Sequence, residues 1–187
     1  MRLRIFGSAL FVMFALCAQA ADEVVVPAYE DELMRLRVLP RSVEQMAAFF
    51  EARGFPAVMI DELSRYCFFT VVLKNKSRDV VWLDMSQWRF VAGEQELTRI
   101  PRNRWPEQWA AMQIPLSAQS TFRWTLLPER LDFQADESEG GNVIVERTDR
   151  PFSLLARFAL GPAGDKGMRV ARIDNLACGP VPGEKRP

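Results

Sequence analysis

Apolar and polar positions follow two different periods along this chain, and the change comes near residue 66. From Cys67 the period is two. Cys67, Phe69, Val71 and Leu73 alternate with Phe68, Thr70, Val72 and Lys74, which predicts a strand with one face in a core. Asn75-Lys76-Ser77-Arg78 interrupts the run with turn-forming residues. Asp79 to Val91 is rich in Val, Trp and Phe and predicts one long strand, or two with a bulge near Asp84. Ala92-Gly93-Glu94 turns the chain into a short strand holding Leu97. Further strands are predicted over Thr121–Leu126, Asn142–Arg147, Phe152–Leu160 and Met168–Ile173, the last two joined by the Gly/Pro-rich segment Gly161–Gly167. Short strands separated by turns, with no β-α-β rhythm, predict a mainly β, antiparallel sandwich over residues 67–180.

Residues 21–66 read instead as a helical N-terminal segment capping that sandwich. Ser42-Val43-Glu44-Gln45 has the form of a capping box, and Met46, Phe49 and Phe50 then fall at i, i+3 and i+4. Gly54 is a natural stop, and Phe55-Pro56 opens a second helix carrying Met59, Ile60 and Leu63. Residues 29–38, with Leu33, Leu36 and Val38 among charges, predict a third short helix before Pro40. Residues 181–187 form a polar tail, expected to be disordered.

The stretch Val71-Val-Leu-Lys-Asn-Lys-Ser-Arg-Asp-Val-Val-Trp-Leu83 resembles the B–C strand pair of exported immunoglobulin-like domains. The likeness implies an immunoglobulin-like type of sandwich and carries no activity with it.

The first twenty residues stand outside the fold. Arg2 and Arg4 precede an uncharged, mostly apolar run from Ile5 to Cys17, and Ala18-Gln19-Ala20 is a small-x-small site. This is the pattern of a secretory signal peptide cleaved between Ala20 and Ala21. The run is too short to span a bilayer, so the mature chain is expected to lack a transmembrane segment. Arginine greatly outnumbers lysine, which suits a GC-rich genome, and with the short signal it favours a periplasmic address. Export reduces the cysteines to Cys67 and Cys178, a pair expected to form a disulfide in an oxidising compartment.

Composition narrows the chemistry. The chain holds 24 basic residues, 24 acidic residues and no histidine. Triads, Cys–His pairs, His-ligated metals and imidazole switches are thereby excluded. The zero net charge lacks the electrostatic footprint of a nucleic-acid binder. No motif calls for a cofactor or a metal. The acidic stretch Glu129, Asp132, Asp136, Glu137 and Glu139 lacks the spacing of a calcium loop.

Five tryptophans remain to be placed. Trp82, Trp88 and Trp124 fall in strand patterns and are expected in the core. Trp105 and Trp109 lie in a long connection beside Arg99, Arg102 and Arg104, a combination enriched at binding hot spots. Two arrangements are open: a partner-binding patch, or a helical turn started by Pro106 that folds both rings back onto the sandwich. The sequence thus points to an exported, non-enzymatic interaction or assembly protein binding a protein or cell-envelope partner through Arg99, Arg102, Arg104, Trp105 and Trp109. The alternative is a small-ligand carrier with a pocket between helical cap and sandwich, and a third is a carboxylate-dependent envelope hydrolase.

Overall fold

The computed structural model describes residues 26–181. The expected signal peptide with its Ala20–Ala21 cleavage site, and the tail beyond Val181, lie outside the described residues. In chain order the first elements are β1 (Ala28–Glu30), β2 (Met34–Arg41), α1 (Val43–Glu51), α2 (Ala57–Leu63) and β3 (Tyr66–Asn75). Then come β4 (Val81–Asp84), β5 (Arg89–Ala92), β6 (Gln95–Leu97), α3 (Trp105–Ala111) and α4 (Leu116–Thr125). The chain closes with β7 (Arg130–Phe133), β8 (Ser138–Glu146), β9 (Phe152–Leu160) and β10 (Met168–Leu176).

Two antiparallel sheets pack face to face. The first has the order β1-β2-β3-β8; in the second β9 pairs with β10 along one edge and with β4 and β5 along the other. Between them lies a core of Met34, Leu36, Val38, Cys67, Phe69, Val71 and Leu73 from the first sheet, against Val81, Leu83, Phe90, Leu154, Phe158 and Ile173 from the second. The alternation read from Cys67 is therefore the inward face of β3. β3 and β4 lie in opposite sheets.

β4 and β5 run along β9 as one interrupted line. Leu83 faces Phe158 and Arg89 faces Leu155, and the mismatch is taken up by the three-residue 3-10 turn Met85–Gln87. Asp84 caps that turn by accepting from the Ser86 N–H at 2.9 Å.

A third layer of helices covers part of the first sheet's outer face. Its own apolar cluster joins Phe50, Phe55, Met59, Leu63, Trp105, Trp109 and Phe122 to Phe68 and Ile144 on the sheet. The even-numbered positions at the start of β3 thus serve this second core. α1 begins with the expected capping box: the Gln45 N–H donates to Ser42 Oγ at 3.1 Å, and the Ser42 N–H donates to Gln45 Oε1 at 3.2 Å.

Several expectations need correction. Residues 29–38 form no helix: β1 ends at Glu30, a bend follows, and β2 starts at Met34, because Met34, Leu36 and Val38 alternate strictly with Arg35 and Arg37 and bury one face completely. β2 pairs along its whole length with β3, so residues 21–66 are not a purely helical segment and a boundary at 66 cuts through a sheet. Thr121–Leu126 lies mostly in α4, where Ala118 and Phe122, one turn apart, bury one side, and Leu126 is buried just past the helix end. The helical layer accordingly draws α3 and α4 from mid-chain as well as α1 and α2.

The disulfide joins Cys67 and Cys178, 111 positions apart in sequence, with their Cα atoms 5.2 Å apart. It does not tie neighbouring strands. Cys67 belongs to β3 and Cys178 follows β10, so the bond clamps one sheet to the other. The segment after it is tightly held: Gly179 packs so closely on the Arg41 carbonyl that a Cβ there would clash with it. The Val43 N–H donates to the Pro180 carbonyl at 3.2 Å. The start of α1 is therefore pinned by the segment that follows Cys178.

Candidate functional site

The five residues expected to form a partner-binding patch are placed as follows. Trp105 and Trp109 are 2 % and 1 % exposed. Their rings stack 4.9 Å apart, and both meet Phe122 edge-on. Pro106 sits in the first turn of α3, so the fold-back arrangement is the one adopted and the indoles are core. Arg99 makes a two-pronged pair with Glu129, at 3.1 and 2.8 Å. Arg102 donates to the Arg123 carbonyl at the end of α4. Burial, with Arg123 nearby, lowers the Arg102 pKa. Arg104 alone is exposed. Arg99 and Arg102 thus tie the segment before α3 to Glu129, just ahead of β7, and to the end of α4.

Trp124 behaves in the opposite way. Expected in the core, it is 82 % exposed, because it falls on the face of α4 away from Ala118 and Phe122. Trp88 is buried, and Trp82 is half-buried with its indole N–H donating to the Gly161 carbonyl at 2.8 Å.

Trp124 marks the rim of a cleft of about 720 Å³ where α1 and α4 overhang the first sheet. One wall is the face of α1 carrying Gln45, Met46 and Phe49, and the other is Trp124 with Thr125. Phe49 is itself 38 % exposed. The floor is Phe68 and Thr70 of β3 with Gly140, Gly141 and Asn142 of β8, and Arg41 closes one end. A Cβ on Gly141 would lie 2.5 Å from the Leu127 backbone nitrogen, so only glycine lets α4's exit cross β8 this closely.

The polar groups of the floor are ordered by register. Thr70 pairs with Leu39 on one side and Asn142 on the other, and Arg41 lies diagonally across. Arg41 Nε donates to Thr70 Oγ1 at 2.8 Å, and Thr70 Oγ1 donates onward to Asn142 Oδ1 at 3.0 Å. With its hydroxyl proton committed and a guanidinium N–H received, Thr70 is occupied. The terminal Nη groups of Arg41 and the Asn142 amide N–H groups have no partner among the described residues. Sequence reasoning missed this set, because Arg41, Thr70, Asn142 and Trp124 meet only through strand register and helix placement.

Elsewhere the acidic residues of 129–139 are engaged singly. Glu129 pairs with Arg99, Asp136 with Lys74, and Glu137 accepts from the Gln134 N–H. Among the described residues no group of three or more Cys, Asp or Glu is placed to hold a metal ion. Among them, too, no helix is long and apolar enough to cross a membrane.

No family model matches the chain, and no curated protein matches it in sequence. Among solved structures it is similar to a candidate lipoprotein (ycdA) of Bacillus subtilis, at 14 % identity and a TM-score of 0.41. The match covers 81 % of this chain and 39 % of that one, so the chain spans well under half the length of its structural neighbour.

Proposed function

We propose that the chain is an exported, non-enzymatic binding protein that works in the periplasm and holds its partner in the cleft between helical layer and sandwich. The signal-type N-terminus and the Cys67–Cys178 bond support the address. The observation that carries the binding function is the exposure of Trp124 at 82 %, on the rim of a 720 Å³ cleft shared with Phe49. A folded chain gains nothing by leaving an indole in water, whereas binding sites use such rings as large, rigid contact area. The cleft's size and its apolar walls with a few convergent polar groups are those of a ligand site. It lies where a carrier pocket is expected from the sequence, although it is an open groove rather than a closed cavity. The lining holds no acid, which leaves it without a proton-transferring pair.

Site-specific photo-crosslinking in cells tests this. A crosslinker at Ala48, beside the cleft, is expected to capture a partner that one at Glu94, in the β5–β6 turn, does not. Equal capture from both positions, or none from Ala48, removes the proposal.

A further inference from the structure

We infer that the cleft takes a single-chain amphiphile with a carboxylate head, its head on Arg41 and Asn142 and its apolar chain between Phe49 and Trp124. The inference rests on the binding role proposed above and adds the chemistry of the ligand. Its basis is the direction of the hydrogen-bond chain on the floor. Because Arg41 Nε gives to Thr70 and Thr70 gives to Asn142 Oδ1, the groups left without a partner at that end, the Arg41 Nη and Asn142 amide N–H groups, are donors. The Nη edge of Arg41 offers two parallel N–H groups, the fork that a carboxylate accepts in bidentate fashion. The Asn142 amide adds a third direction.

Charge points the same way. Arg41 is the sole ionised side chain lining the cleft, so one positive charge faces the ligand and no carboxylate competes for it. One cation with neutral donors balances a monoanion better than a phosphate dianion. Beyond the head site the walls are Met46, Phe49, Phe68 and Trp124, suited to a hydrocarbon chain. The protein's own tail does not complement this surface. Pro180 lies beside the start of α1, but residues 182–187 bring Glu184, Lys185 and Arg186 and no large apolar side chain.

The test is titration of the mature, disulfide-bonded chain with decanoate, decanol and decyltrimethylammonium, read by calorimetry. Decanoate is expected to bind, with decanol weaker by about ten- to a hundredfold, the value of a hydrogen bond to a charged group, and the cation not at all. Arg41→Met should erase the preference for decanoate over decanol. Asn142→Ala, which leaves the guanidinium in place, should reduce it in part. Trp124→Ala, at an exposed site that folding does not need, should weaken both ligands. Equal binding of decanoate and decanol, lost in Trp124→Ala, would sink the carboxylate inference and leave the cleft as the binding site. Decanoate binding untouched by Trp124→Ala, or a chain dimer dispersed by that substitution, overturns the inference together with the proposed ligand-binding role of the cleft.

Discussion

Trp109 and Trp124 stand fifteen positions apart, and the same substitution should have opposite consequences at the two. Trp109 is 1 % exposed, stacked on Trp105 at 4.9 Å and edge-on to Phe122 at 5.5 Å. Trp109→Ala empties the middle of the helical layer, at a cost of about 3–5 kcal/mol for a buried tryptophan. With a urea dependence of roughly 2 kcal/mol per molar, that lowers the midpoint by about 1.5–2.5 M. Trp124, 82 % exposed, should change stability by no more than about 0.5 kcal/mol. Trp109→Phe refines the comparison. The Trp109 indole N–H is buried without a hydrogen-bond partner, so phenylalanine keeps a ring and removes an unsatisfied donor. It should cost clearly less than alanine. The assay is urea unfolding followed by far-ultraviolet circular dichroism, with wild type and the three variants side by side. Equal destabilisation by Trp109→Ala and Trp124→Ala would refute the placement of both rings.

Other consequences follow from the same structure. Reduction of Cys67–Cys178 should lower stability by about 4–5 kcal/mol in the chain-entropy view of a long loop, seen as a fall in thermal midpoint on adding reductant. Because the adjoining Gly179 is pressed against Arg41, reduction should also weaken ligand binding. Asn75, fully buried, donates through Nδ2 to the carbonyls of Asp79, Phe133 and Gln134. Asn75→Ala should therefore cost at least about 1–3 kcal/mol in urea unfolding by orphaning those acceptors, and Asn75→Asp more. Glu30, held by Arg35 and Lys76, has its pKa lowered from 4.5 to about 2. Its folded-state value is depressed, so its stabilising effect is complete above pH 4.5 and is lost as pH falls through about 2. Glu30→Gln should flatten that part of the acid-unfolding curve, and salt should do the same.

Much of the sandwich was legible because burial on one face writes period two directly into the sequence. Phe152–Leu160 is a strand over its predicted length, and Ser42 with Gln45 announced α1 through local hydrogen bonding alone. The errors arose where two periods fit the same residues. Phe122, Trp124 and Leu126 alternate like a strand, yet Phe122 and Leu126 are also one helical turn apart. The outcome depended on Trp124 facing water, which local pattern does not reveal. Around residues 29–38, Leu33 and Leu36 suggested a helix while Met34, Leu36 and Val38 specified the strand. Trp105 and Trp109 lay in a connection rich in arginine, and only the third layer beneath them shows why they are core. The cleft was the least legible feature. Arg41, Thr70 and Asn142 sit on three strands far apart in sequence and become neighbours through sheet register.

The claim that the cleft is the binding site is tested most directly by backbone-amide NMR on the oxidised chain titrated with decanoate. Shifts are expected to concentrate at residues 41–50, 68–70, 124–125 and 140–142. Shifts centred instead on the groove around Trp82, Arg157 and Gly164 on the second sheet, or spread evenly over the surface, would contradict it.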